Sequence, residues 1–362
     1  MGRWALTYLV TTLLLMPMAA FGDPMDPRAA VATSQTLPPG AINELKAVEI
    51  GGIKQWISVR GADPRNPILL FIHGGPGSAM MSESWTFERP WEDYFTVVQW
   101  DQRGAGKTFA TTGRKPDPAM TGARMQADAE EMIAYLRKTY GKDRIFVMGH
   151  SWGSILGLRA ALHHPEWLYA YIGVGQVVNG LRGEAEGYRE VLADAKSQNN
   201  QTAVHELEAL QPYPGQDLTK AIGKLSIERK WDVALGGMRY NKPDYDDDAV
   251  RALSPQYDDA DIAAIAPGER TSTSALVFAM AAVDFDANTK FDCPIFIFAG
   301  AHDHTTPATV VKSWFETIHA PQKRLFWIPN AAHFVVDEAP GVVLVDLVQY
   351  VRPLGPAIDH QP

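Results

Sequence analysis

The pentapeptide Gly149-His150-Ser151-Trp152-Gly153 places a hydroxyl between two glycines, and Asp303 and His333 lie 152 and 182 positions downstream of that serine. A serine hydroxyl is a weak nucleophile at neutral pH. It needs an imidazole within hydrogen-bond reach to take its proton and a carboxylate to orient the imidazole. A G-x-S-x-G segment supplies such a nucleophile when it follows a strand and opens a helix, because the sharp turn exposes the hydroxyl above the helix N-terminus. The apolar run Ile145–Met148 precedes it and the helical run Ser154–Ala161 follows. The flanking glycines suit a turn whose backbone comes too close to its neighbours for a Cβ. Asp303 lies just past the strand-like run Pro294–Ala299 and His333 just past Leu325–Ile328, so the order is nucleophile, acid, base. The chemistry expected is acyl transfer through a covalent intermediate.

Other residues compete for these roles. Of the ten histidines, His150 is expected to point away from the elbow. His163, His164, His205, His319 and His360 fall in helical or terminal stretches and read as solvated. His302 and His304 flank Asp303 and suggest a metal at first sight, but no further ligands at metal-site spacing accompany them. Asp337 and Glu338 could replace Asp303 as the acid. Their place just before Pro340 fits helix capping better. His73-Gly74-Gly75-Pro76-Gly77 follows the strand Ile68–Ile72 and can bring its backbone close to a reacting carbonyl. The N–H groups of Gly75 and Trp152 are the expected oxyanion donors. Gly106-Lys107-Thr108 looks like the end of a phosphate-binding loop, but Asp101 stands where its first glycine is required.

The elements that must hold these groups follow from the apolar pattern. From Glu44 onward, strand-like runs (Ala47–Ile50, Ile53–Val59, Ile68–Ile72, Phe95–Trp100, Ile145–Met148) alternate with helical stretches such as Asp128–Tyr140. The rhythm resumes with Leu168–Gly173, Pro294–Ala299, Pro307–Ile318, Leu325–Ile328 and Pro340–Val351. Strands this apolar are covered on both faces, which predicts an α/β fold with a mainly parallel sheet and helices on each side. Parallel strands deliver the loops after them to one sheet edge, where Ser151, Asp303 and His333 can meet. Residues 44–178 and 287–355 form this core, and 179–286, where the rhythm breaks, read as an inserted helical cap. Residues 23–43, with Pro24, Pro27, Pro38 and Pro39, read as an extended lead-in.

Composition sets the outer bounds. The 362 residues are 46% apolar and 21% charged, which excludes disorder as the main state. With 33 Lys+Arg against 42 Asp+Glu, the net charge of −9 argues against a nucleic-acid partner. The stretch from Gly180 to Lys290 holds 19 carboxylates and 12 basic side chains, so most of the negative charge belongs to the cap. The single cysteine, Cys293, excludes an intrachain disulfide and reads as a small buried hydrophobe. Residues 1–22 carry one charge, Arg3, then the apolar run Trp4–Met16, Pro17 and the small-residue end Ala19-Ala20-Phe21-Gly22. This predicts a secretory signal removed before Asp23 and a secreted or periplasmic protein, the alternative being an uncleaved N-terminal anchor.

Taken together, His73–Gly77, Asp101-Gln102-Arg103-Gly104, Gly149–Ser154, Gly300-Ala301-His302-Asp303 and His333 resemble the α/β-hydrolase superfamily, and within it the proline iminopeptidase-like serine peptidases. The resemblance covers about residues 44–175 and 291–351. It implies the α/β-hydrolase fold and release of an N-terminal residue, often proline, from small peptides or amides, with no metal or organic cofactor. It also implies that Asp101 and Arg103 brace the loop beside the oxyanion hole, and that a cap carboxylate holds the substrate's α-ammonium. Glu184, Glu186, Glu190, Glu206, Glu208 and the segment Glu228-Arg229-Lys230-Trp231-Asp232 are candidates that spacing does not separate. Tyr188, Tyr213, Tyr240, Tyr245, Tyr257 and Phe278 are candidate pocket aromatics. An esterase or lactonase would run on the same triad, and a catalytically silent binding protein would keep the fold without using it. Ser151 disfavours an aspartyl route such as epoxide hydrolysis.

Overall fold

A computed structural model describes residues 26–215, 218–242 and 245–357. The expected signal at residues 1–22 and His360 lie outside the described residues. Eight strands form one sheet: β1 (Ile42–Ile50), β2 (Ile53–Gly61), β3 (Ile68–Ile72), β4 (Thr96–Asp101), β5 (Ile145–His150), β6 (Leu168–Val174), β7 (Ile295–Gly300) and β8 (Lys323–Ile328). Their spatial order is β1-β2-β4-β3-β5-β6-β7-β8. The pairs β1–β2 and β2–β4 are antiparallel, and every pair from β4 to β8 is parallel. β3, β4, β5 and β7 are buried along their whole length, as the apolar runs of β3, β5 and β7 require of strands covered on both faces, while β4 buries Thr96, Gln99 and Asp101 as well.

Twelve α-helices accompany the sheet: α1 (Pro27–Ser34), α2 (Gly106–Thr111), α3 (Gly122–Thr139), α4 (Trp152–His163), α5 (Gly180–Ser197), α6 (Gln201–Glu208), α7 (Leu218–Leu235), α8 (Asp247–Ala252), α9 (Asp259–Ala281), α10 (Ala308–Thr317), α11 (Val335–Glu338) and α12 (Pro340–Asp346), counted among the described residues. The core lies in two layers. One joins Ile72, Trp100, Leu136, Ile155 and Ile297 with the helices on one face, and the other joins Phe71, Phe146, Phe298 and Val343 on the opposite face. Cys293 is buried, as a small hydrophobe would be. Between β6 and β7 the chain leaves the sheet for α5 through α9, and α5, α6 and α7 pack around their own small core of Tyr188, Val191, Leu207 and Trp231.

The segment expected as an extended lead-in is helical over Pro27–Ser34. Its prolines misled because only Pro27 enters the helix, at the first position, where a missing N–H costs nothing. Asp26 caps that helix by accepting the Arg28 N–H at 3.1 Å.

Candidate active site

The elbow forms at the end of β5. Ser151 sits at φ +52°, ψ −118°, a conformation rare for a residue with a side chain, and is the N-cap of α4. The flanking glycines are forced. A Cβ on Gly149 would lie 2.4 Å from the Gly153 carbonyl oxygen, and one on Gly153 would lie 2.0 Å from that of Ile72.

The loops after β7 and β8 bring the other two groups together. His333 Nδ1 lies 3.1 and 3.0 Å from the two oxygens of Asp303, and both side chains are buried. The Thr306 N–H and hydroxyl donate to the same carboxylate at 2.8 and 2.6 Å. Burial alone would raise the Asp303 pKa, but the charge and hydrogen bond of His333 together with Thr306 hold it below the ordinary aspartate value. The carboxylate therefore stays ionised and suits a proton on His333 Nδ1, which leaves Nε2 free to accept one. Ser151 and His333 line one cavity without a direct hydrogen bond between them; catalytic contacts of this kind often tighten only with substrate bound.

His150 does not leave the site, contrary to the sequence expectation. Its Nε2 donates to the His333 carbonyl at 3.0 Å, and the two rings are centred 4.8 Å apart. Burial, then the charge on His333, lowers its pKa to about 3, so it remains a neutral brace. Neither Asp337 nor Glu338 bonds to the His333 side chain or caps α12, whose N-cap has no side-chain bond. Asp337 pairs with Arg239, and Glu338 accepts the N–H groups of Ala332 and Tyr240. His302 stacks on Tyr240 at 4.1 Å, and His304 faces Asp232 at 3.6 Å and Asp194 at 3.7 Å.

Gly75 lines the cavity beside Ser151, and Trp152 opens α4. Among the described residues no acceptor takes the N–H of either. The loop carrying Gly75 is held by Gln102, whose Nε2 donates to the His73 carbonyl at 2.9 Å while its Oε1 accepts from Trp152 Nε1 at 3.2 Å. His73 completes the brace, with Nδ1 toward the Gly74 carbonyl at 2.8 Å and Nε2 accepting the Gln102 N–H at 3.3 Å. Burial keeps it neutral, its pKa lowered to about 4. The bracing expected of Asp101 and Arg103 therefore falls to the residue between them. Asp101 accepts the Lys107 N–H and the Tyr257 hydroxyl, and Arg103 pairs with Asp128 and Asp117.

Above Ser151 lies a cavity of about 330 Å³ between cap and sheet, its apolar walls including Val177, Leu181, Val277, Phe278, Met280 and Val310. Of the expected carboxylates only Glu184 reaches it, and Glu184 is paired with Arg229 at 2.6 Å and accepts the Tyr213 hydroxyl at 2.9 Å. Glu186, Glu190, Glu206 and Glu208 are engaged elsewhere, with Arg189, Thr309, Lys230 and Lys196. Glu228 is buried against Arg229. A carboxylate that sequence reasoning missed, Glu269 on α9, also lines the cavity. It accepts the Ser78 hydroxyl at 2.5 Å and forms no ion pair among the described residues. Tyr213 and Phe278 line the cavity, while Tyr188, Tyr240, Tyr245 and Tyr257 are used in cap packing, His302 stacking, Arg239 stacking and the Asp101 bond.

A family model described as the alpha/beta hydrolase fold matches residues 67–340. A Bacillus subtilis protein named as a probable aminopeptidase, YbaC, is 28% identical over 312 residues, which cover 85% of this chain and 96% of that one. The solved structure of a proline iminopeptidase from Mycobacterium smegmatis superposes with a TM-score of 0.61 at 20% identity, covering 86% of this chain and 98% of that one. An esterase from Rhodococcus sp. ECU1013, RhEst1, does so at 0.56 and 18%, covering 86% and 99%.

Proposed function

The chain belongs to the α/β-hydrolase family as a hydrolase of the proline iminopeptidase-like group, and from that premise we propose that it removes an N-terminal residue from small peptides or amides with Ser151, His333 and Asp303. His333 takes the Ser151 proton as the hydroxyl oxygen attacks the carbonyl carbon. Charge developing on the carbonyl oxygen is met by the N–H groups of Gly75 and Trp152, an arrangement in which losing one donor costs about 3 kcal/mol. The protonated His333 then gives its proton to the departing amine. Water, deprotonated by the same imidazole, hydrolyses the acyl-enzyme and regenerates Ser151.

The observation that carries the reading is Glu269, which lines the cavity that holds Ser151 and His333 and forms no ion pair among the described residues, the charge of Arg251 reaching it only from beyond contact and Arg229 being paired with Glu184 and Glu228. A carboxylate so placed suits a free α-ammonium. The test compares a free-amine arylamide with its N-acetylated form in wild type and Glu269→Gln. Wild type is expected to prefer the free amine, and the substitution to remove about tenfold or more of that preference, since a hydrogen-bonded charge pair of this kind is worth roughly 1.5–3 kcal/mol. Equal turnover of both forms by wild type overturns the peptidase reading.

The apolar walls favour a second reading, an esterase or lactonase on the same triad. Turnover of a short-chain aryl ester without any arylamide turnover selects it. We also propose that residues 1–22 direct export and that the mature chain begins at Asp23. N-terminal sequencing of the protein from the periplasm or medium checks this, and an intact Met1 on membrane-bound protein selects the anchor instead.

A further inference from the structure

Where the cap returns toward the sheet, residues 232–240 touch both catalytic loops through polar atoms that the acyl-transfer chemistry does not use. Asp232, buried near the end of α7, accepts the Thr305 hydroxyl at 2.7 Å, two residues beyond Asp303. Its carbonyl accepts the Gly237 N–H at 2.9 Å and turns the chain back. Met238 then accepts the N–H of His333 itself at 3.1 Å. Arg239, also buried, lies over the Phe334 ring at 4.0 Å and donates to Asp337 at 3.3 Å and Asp247 at 2.8 Å. Tyr240 donates its N–H to one oxygen of Glu338 at 2.5 Å, and the other oxygen accepts the Ala332 N–H at 2.9 Å. The Tyr240 ring stacks on His302. These contacts bracket Asp303 and His333 on both sides in sequence.

We propose that residues 232–240 are a positioning element for the Asp303–His333 pair, so that the cap, besides covering the substrate, sets the alignment of the general base. The proposal rests on the triad reading above. Loops that follow strands carry no ladder of their own, and the direction of an imidazole depends on where its backbone is pinned as well as on its Nδ1 partner. Here the backbone of residue 333 is pinned by Met238, and its neighbours by Glu338 and Arg239. Asp232, Arg239 and Glu338 do not line the cavity, so their loss acts on the chemical step and leaves substrate binding nearly untouched.

The test uses the full chain and a short-chain aryl ester, with melting curves showing that each variant is folded at the assay temperature. Glu338→Gln turns one of two acceptor oxygens into a donor facing an N–H. Asp232→Leu removes the acceptor for Thr305, and Asp232→Asn keeps one. Glu338→Gln and Asp232→Leu are expected to lower kcat about tenfold or more with KM within about twofold, because a misplacement of about 1 Å can cost about a hundredfold. Asp232→Asn is expected to recover kcat to within about threefold of wild type. Unchanged kcat in the folded variants, a loss confined to KM, or an Asp232→Asn no better than Asp232→Leu overturns the proposal. If Asp232→Leu does not fold, Glu338→Gln decides alone. Fluorophosphonate labelling of Ser151 in wild type separates the two levels: without it the triad reading fails, and with it an unaffected variant set removes the positioning element only.

Discussion

Ser151 holds a left-handed backbone conformation at the N-cap of α4, and such strain persists only where the surroundings over-determine it. Replacing it with alanine keeps the turn and removes the nucleophile, so turnover of ester and amide alike is expected to fall at least about a thousandfold with little change in melting temperature. Asp303→Asn presents His333 with the wrong partner for an Nδ1 proton, and kcat is expected to drop about ten-thousandfold, as elsewhere for this exchange. Both are read by steady-state kinetics. The turn at Ser151 and the meeting of Asp303 with His333 were legible in the sequence because each follows a strand at its C-terminal end, a local signal. Thr306, Gln102 and Glu269 were not. Gln102 works by reaching His73 and Trp152, and Glu269 by meeting Ser78 across 191 residues, pairings that only the folded chain creates. His150 was misplaced for the same reason: its partner, the His333 carbonyl, is 183 residues away.

The loop after β3 and the start of α4 must be held in register if two N–H groups are to share one oxyanion. Gln102, at the end of β4, joins them with one amide. Gln102→Leu leaves the buried His73 carbonyl and the Trp152 indole N–H unpaired, at about 1–3 kcal/mol for each buried polar group. The expected result is a melting temperature lower by several degrees and a kcat reduced about tenfold, measured by thermal denaturation and ester turnover. At this scale β3, β5 and β7 were readable because burial on both faces writes an apolar run, whereas β1 and β8 are partly exposed and show only part of their length as apolar. The helices between β6 and β7 were readable only as a break in that rhythm. Two of them bury polar groups beside apolar ones, Glu228 and Asp232 on α7 and Asp261 and Ser272 on α9, so no apolar period marks their buried faces. The helix at Pro27–Ser34 escaped notice because proline counts as a breaker everywhere except the first turn, where this one stands.

For the molecule as a whole, stability depends on pH through carboxyl groups that folding removes from water. Burial, opposed by hydrogen bonds from Tyr257 and the Lys107 N–H, raises the Asp101 pKa from 3.8 to about 7. The folded state therefore holds this proton more tightly than the unfolded state. Its contribution is fully present below about pH 4 and is lost as pH rises through about 7. Asp101→Asn keeps an acceptor for both donors and carries no charge. Its stability relative to wild type is expected to rise across that window by up to about 4 kcal/mol, checked by urea unfolding at pH 4.5 and 8. A gain that shrinks as pH rises contradicts this. The helix α1 belongs to the same scale. Arg28 reaches the Ala252 carbonyl at 2.8 Å and Asp259 at 2.9 Å, on two cap helices. The residues just behind it are tied to the sheet side by Arg60, bonded to the Gln35 carbonyl, and by Arg89, bonded to that of Thr36. Residues 26–36 thus bridge two helices of the cap to the sheet side: a gene trimmed to start at Ala41 would keep every strand residue and lose that bridge, and faster protease nicking between α8 and α9 is the outcome expected.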